Sequence, residues 1–341
     1  MKIAVVGCGA VGSFYGAKLC QIGQDVRFLL RSDYDVVQQK GVTIRSIDGD
    51  FHVRPKCART PEEIGIADVV LIGLKTTVND QFPMLLPPLV GPRTAVITLQ
   101  NGLGNEEELA RLFPAEQILG GRCFVCLNRV EPGVILHTAH GKIVLGEFQR
   151  LPQQRTPELA ALFRQAGVLC DITDNLARTD WEKLVWNIPF NGLGVAGTAG
   201  YDALTSSSRH APAGPKLSSE GRPPVTRHSN VLTTDILLGD PRWEKVVREL
   251  MLEVIAAANA LGFEVPQSLA DENINRTRVM GAYKASTLID FERGQPLELE
   301  SMFLEPLRQA QKADVPVPRL LRLCEVLYQL DPAGSQETGA S

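Results

Sequence analysis

"KIAVVGCGAVGSFYGAKL", Lys2–Leu19, is the stretch on which the fold turns. It opens with a short apolar run of the kind a buried strand presents, and the residues from Val11 to Ile22 read as a helix. Between the two, Gly7, Gly9 and Gly12 form GxGxxG. Glycines at a strand-to-helix junction allow a tight turn and let the backbone approach a pyrophosphate at the helix N-terminus. Alone the pattern is weak. Here a second strand, "VRFLL", completes the unit at the right distance, which makes dinucleotide binding the reading. Gly7, Cys8, Gly9, Ala10, Val11 and Gly12 are the predicted cofactor contacts.

The tip of the second strand selects the dinucleotide. An NAD enzyme usually carries Asp or Glu there to hold the ribose 2′-hydroxyl, whereas this chain has Arg31 followed by Ser32. A carboxylate repels a 2′-phosphate and a guanidinium grips one, so the expected cofactor is NADP, bound as NADPH. Further on, "DVVLIGLK" and "TAVITLQNG" read as two more buried strands. Alternation of strand and helix signals predicts a doubly wound, Rossmann-type parallel sheet with helices on its faces. Lys75 and Asn101 fall just past the C-terminal ends of these strands, where open α/β sheets bind ligands.

Whole-chain properties exclude several classes. A chain of 341 residues with 44% hydrophobic and 22% charged residues has room for two domains with real cores. A net charge of −4 and no long basic run give no footprint for nucleic acid. No segment supplies the roughly 20 apolar residues that cross a bilayer, and the N-terminus reads as structure, not as a targeting segment. Seven scattered cysteines suit reduced thiols in a cytoplasmic protein. Cys123 and Cys126 form a lone CxxC inside a strand-like stretch, and His137 and His140 lie outside ligand spacing, so no metal is expected.

From about residue 175 the strand pattern stops, and an all-α domain is predicted. Its first helix contains "WEKLVWNIPFN", Trp181–Asn191, in which Lys183, Asn187 and Asn191 recur every fourth residue. At about 100° per residue they share an arc of roughly 80°, walled by apolar side chains. Such a stripe points into a polar gap between packed elements, not to open solvent. A long amphipathic helix is also expected at "RWEKVVRELMLEVIAAANALG", ended by Gly262, with further helices through "EPLRQAQKADV" and "PRLLRLCEVLYQL". The predicted organisation is a nucleotide domain over 1–172 and a helical substrate domain over 173–330, with the site in the cleft between them. Thr205 to Asn230, rich in Ser, Pro and Gly, reads as a flexible insertion, and 331–341 as a disordered tail.

"GCGAVG" followed by Arg31, the strand-end "LK", "QNG", "EPGVILHTAHGKIVLGE" and "WEKLVWN" occur in an order and spacing that resemble the ketopantoate reductase family over nearly the whole chain. "YKASTLIDFERGQPLELE", Tyr283–Glu300, looks like that family's closing signature, with Ser286 and Glu298 twelve residues apart. The resemblance implies cofactor contacts at Gly7, Gly9, Gly12, Arg31 and Lys75. It implies substrate contacts at Asn101, Asn187, Asn191 and Ser286, with Lys183 and Glu298 catalytic. Asn101 is placed against both cofactor and substrate. The activity implied is NADPH-dependent reduction of 2-dehydropantoate to pantoate, with Lys183 protonating the developing alkoxide and Glu298 orienting Lys183 or the substrate. Tyr283 and "LELE" depart from well-known members, which keeps a reductase of another 2-oxo acid as an alternative. A non-catalytic NADP-sensing protein is the third reading, and the Lys183 set argues against it. Oligomeric state is open, a homodimer being one outcome.

Overall fold

Strand β1, Lys2–Val6, sends alternate residues into two different cores. Ile3 and Val5 join one apolar cluster with Phe14, Tyr15 and Phe163, while Ala4 and Val6 join another with Ile64, Phe82 and Leu109. Side chains of a strand alternate between sheet faces, so two clusters mean that both faces of the sheet are covered. The computed structural model describes residues 1–205 and 231–331. They divide into two compact units, Met1–Thr179 and the chain from Asp180 onward.

In the first unit, β1 is followed by α1 (Ala10–Gln21), β2 (Asp25–Leu29), α2 (Tyr34–Lys40), β3 (Val42–Ser46), β4 (Phe51–Val53) and β5 (Lys56–Ala58). Next come α3 (Pro61–Ile64), β6 (Ala67–Ile72), α4 (Phe82–Leu85), β7 (Val90–Thr98) and α5 (Asn105–Ala110). The unit continues with β8 (Ile118–Glu131), β9 (Val134–Glu147), α6 (Arg155–Gln165) and β10 (Cys170–Ile172). Within the ten-stranded sheet, the run β5-β2-β1-β6-β7-β8 is parallel throughout. The chain thus starts in the middle, winds outward to β2, and returns to add β6 on the other side of β1. That reversal is the switch point at which open α/β sheets bind ligands.

The sheet is mixed, not wholly parallel as the alternation of signals suggested. β8 and β9 form a long antiparallel hairpin, and β3 pairs antiparallel with β4. The hairpin is closed at Glu131-Pro132-Gly133-Val134, where Gly133 has φ 72°. Pro followed by a left-handed Gly is a type II turn signature and was legible in the sequence. Cys123 and Cys126 both lie buried on β8, with a register shift between Phe124 and Val125. A bulge of this kind lets residues three apart face the same side. None of the seven cysteines forms a disulfide.

In the second unit α7 (Leu176–Ala196) enters from the first and is buried almost throughout: Trp181, Leu184, Val185, Ile188 and Phe190 are all at most 1% exposed. A helix apolar on most of its circumference belongs inside a core. Pro189 sits in its interior, removing the amide that Val185 would otherwise accept from, yet the helix continues. Among the described residues seven α-helices follow: α8 (Tyr201–Thr205), α9 (Thr234–Gly239), α10 (Pro241–Ala260), α11 (Ser268–Arg278), α12 (Ser286–Glu292), α13 (Glu305–Lys312) and α14 (Pro318–Leu330).

Three boundaries fall differently in the structure. Thr205 closes α8, donating its hydroxyl to the Tyr201 carbonyl at 3.1 Å, so it is not part of an insertion; the remainder of that segment, 206–230, lies outside the described residues. Asp331 is not part of a tail, because its carboxylate accepts the Leu297 amide at 3.1 Å; the expected tail beyond it also lies outside the described residues. The two units meet in sequence after Thr179, inside α7, where the sequence suggested 172.

Candidate functional site

The glycine turn closes by backbone contact. A Cβ on Gly7, at φ 90°, would lie 2.3 Å from the Leu74 nitrogen, and one on Gly12 would lie 2.3 Å from the Gly7 carbonyl oxygen. Gly73, which sequence reasoning did not single out, completes the set: its Cβ would come within 2.9 Å of the Gly12 backbone. These three glycines let the ends of β1, α1 and β6 touch. Gly9 is different. It precedes α1 at φ −74°, and nothing lies within 4 Å of where its Cβ would be. Neither its conformation nor the surrounding protein requires glycine, and the space beside it is open. An approaching pyrophosphate fits that opening, at a helix start whose first turn carries no acidic side chain. Cys8, Ala10 and Val11 line the same turn. Burial pushes the Cys8 thiol well up from its ordinary range, so it stays protonated and is not a nucleophile. The Cys170 and Cys324 thiols are pushed up to about 11 and about 12 for the same reason.

Arg31 follows β2 and is exposed, with no side-chain partner among the described residues. Lys75, also exposed, precedes the short 3-10 turn Thr76–Gln81, and Asn101 lies in the turn after β7. A relay of amides unrecognised in the sequence ties these last two loops together. The Thr98 hydroxyl donates to Gln100 Oε1 at 2.9 Å and Gln100 Nε2 to Asn79 Oδ1 at 2.8 Å. Asn79 Nδ2 then donates to Asn105 Oδ1 at 3.0 Å, and Asn105 Nδ2 to the Asn101 carbonyl at 3.1 Å. Every bond runs in one direction, so each polarises the next. Thr98, Gln100 and Asn105 are at most 3% exposed, which leaves them no water as an alternative.

The relay predicts a pH signature. In Asn105→Asp the bond from Asn79 survives, and an acidic residue suits the first turn of α5, so the fold holds. The carboxylate cannot donate to Asn101. Burial favours its protonated form, which can, so the defect should heal as pH falls. Expected is a roughly tenfold loss of kcat/KM at about pH 8, shrinking toward about pH 5 relative to wild type. A pH-independent loss would show that the relay serves stability alone.

In the second unit α7 presents Lys183, Asn187 and Asn191 in one row. Asn187 is 6% exposed, and no side chain or backbone group among the described residues hydrogen-bonds its amide. Asn191, 2% exposed, is engaged: its Oδ1 accepts the Ser286 hydroxyl at 3.2 Å and the Thr287 amide at 3.1 Å. Ser286 thus bonds across to α7 and not to its own helix, and Asn191 fixes where α12 begins. Glu298 is 4% exposed and directly precedes Leu299 and the π-turn Glu300–Leu304, a rare helical widening frequent at functional sites. Trp186 flanks the row, donating Nε1 to Thr277 Oγ1 at 2.8 Å, with its ring centroid 6.3 Å from that of Tyr283. Among the described residues no group of His, Cys, Asp and Glu gathers as a metal site, and no helix is long and apolar enough to cross a membrane.

A switch-point glycine turn on a sheet with a parallel core, followed by a helical unit with a Lys–Asn row, defines a nicotinamide-dinucleotide oxidoreductase. Comparison with known proteins narrows the class. Residues 3–150 match the family described as Ketopantoate reductase PanE/ApbA, and residues 225–331 match its C-terminal counterpart. The chain belongs to the ketopantoate reductase family. A 2-dehydropantoate 2-reductase of Nostoc sp. is 36% identical, over 99% of this chain and 97% of its own. The crystal structure of 2-dehydropantoate 2-reductase from Geobacter metallireducens superposes with TM-score 0.85 at 43% identity, over 96% of this chain and 99% of that one. The corresponding Methylococcus capsulatus structure gives 0.81 at 32% identity, over 100% and 99%.

Proposed function

We propose that this chain reduces 2-dehydropantoate to pantoate at the expense of NADPH, in the cytoplasm, as a step toward pantothenate. The observation that carries the reading is Asn187: a buried amide with no partner among the described residues, in the same helical row as Lys183, within a chain akin over its full length to 2-dehydropantoate 2-reductases. Its amide atoms are not among the fully buried ones, so they can exchange water for the polar groups of a ligand.

NADPH, when bound, supplies the hydride that reduces the 2-oxo carbon. Gly7, Gly9 and Gly12 admit its pyrophosphate, Arg31 grips the 2′-phosphate, and Lys75 and Asn101 contact it from the strand ends. Lys183 stabilises the oxygen as it becomes an alkoxide and gives it a proton, which bulk water later restores. Asn187 offers both a donor and an acceptor to the substrate's carboxylate and hydroxyl. Asn191 and Ser286, bonded to each other, contact the substrate and hold α12 beside it, and Glu298 orients Lys183. Assembly as a homodimer belongs to the same proposal. Following NADPH oxidation against a panel of 2-oxo acids tests the activity. The highest kcat/KM is expected with 2-dehydropantoate; a clear preference for another branched 2-oxo acid would reassign the substrate, and no turnover with any would favour an NADP sensor.

A further inference from the structure

A carboxylate does stand near the tip of β2, two residues beyond Arg31. Asp33 is 7% exposed, and its charge reaches the Cys8 thiol inside the glycine turn. Exposed to a bound cofactor, such a group would accept a ribose 2′-hydroxyl and repel a 2′-phosphate. It also occupies the position before α2 where Asp ordinarily caps a helix, yet its side chain makes no capping bond. It turns instead to Arg129, far along the chain on β8. Arg129 Nε donates to Oδ2 at 2.8 Å and Nη2 to Oδ1 at 2.5 Å, while the Ser32 hydroxyl donates to Oδ1 at 3.0 Å. Arg129 keeps its place in the β8–β9 ladder opposite Ile135, and the register shifts only beyond it, before Glu131.

We infer that Arg129 determines cofactor specificity by clamping Asp33: it occupies and neutralises a buried carboxylate near the β2 tip that would select NADH, leaving Arg31 to select NADPH. The clamp is bidentate, so both oxygens are engaged and neither is presented to a ribose. Arg129 acts through Asp33 and is a positioning residue. The inference rests on the reading of Arg31 as the 2′-phosphate ligand, and a wild-type preference for NADPH over NADH tests that reading by itself.

The experiment measures Kd for NADPH and NADH by nucleotide fluorescence on wild type, Arg129→Gln, Asp33→Asn and the double variant. Arg129→Gln should weaken NADPH about tenfold and spare or tighten NADH, because the released carboxylate opposes one cofactor and accepts from the other. Asp33→Asn should bind NADPH like wild type, and adding it to Arg129→Gln should restore NADPH to within about threefold. Equal weakening of both cofactors by Arg129→Gln would assign the pair to stability and overturn the inference. So would a double variant as weak for NADPH as Arg129→Gln alone, since Arg129 would then be touching the phosphate itself. Arg129→Lys covers the case in which the Gln variant folds poorly. Freeing one carboxylate oxygen, it should lower the NADPH-to-NADH preference about threefold, whereas a purely structural pair leaves that ratio unchanged.

Discussion

Lys183→Ala is expected to lower kcat by at least about a hundredfold while NADPH affinity stays near wild type. General acid help is worth about a hundred- to ten-thousandfold, and the ammonium's field on the developing alkoxide adds to it. Affinity is spared because the proposed dinucleotide contacts, Gly7, Gly9, Gly12 and Arg31, all belong to the first unit. Lys183 is only partly buried, on a helix whose apolar neighbours carry the packing, so circular dichroism should report an intact fold. Stopped-flow hydride transfer with saturating NADPH isolates the chemical step. A folded variant reducing its best 2-oxo acid near the wild-type rate would remove Lys183 from the mechanism, and the α7 row would become a hydrogen-bond seam.

Arg31→Ala should weaken NADPH about ten- to hundredfold and NADH hardly at all. Hydrogen bonds to charged groups are worth about 1.5 to 3 kcal/mol, and the 2′-phosphate is the sole difference between the two cofactors. The Arg31 side chain is exposed and bonded to no described residue, so Tm should not move. Titration of each cofactor measures the ratio directly. Equal losses for both would place Arg31 on the common part of the dinucleotide and take away the ground for NADP specificity.

What the sequence disclosed and what it hid follow from the range of the contacts. The turn from Gly7 to Gly12 and the strand that ends before Arg31 are local patterns, readable because strand and helix impose fixed periods. Gly73 escaped notice because its reason is Gly12, which reaches it only when β6 pairs with β1. The Asp33–Arg129 pair joins the residue before α2 to strand β8, which no local rule connects. Its cue was within reach: Asp33 lies only two residues beyond Arg31, and a reading that stopped at the arginine passed over it. The α7 row was legible by its fourfold spacing despite Pro189, whose bias against helix interiors is overridden by burial on all sides. That Asn191 braces α12, while Asn187 stays without a partner among the described residues, needed the coordinates, since the two amides look alike in one dimension.

The bare backbone contacts of the glycine turn also say where this enzyme can be redesigned. Gly7, Gly12 and Gly73 meet with no side chains between them, so that floor offers no rotamer to swap and no volume to trade. A single methyl there collides with main chain, and main chain cannot step aside without disturbing two strands and a helix together. Cofactor engineering is therefore confined to the rim, where Arg31, Asp33 and Arg129 carry separable chemistry on side chains that can be exchanged one at a time. A library built at those three positions explores preference without spending variants on a surface that admits only glycine.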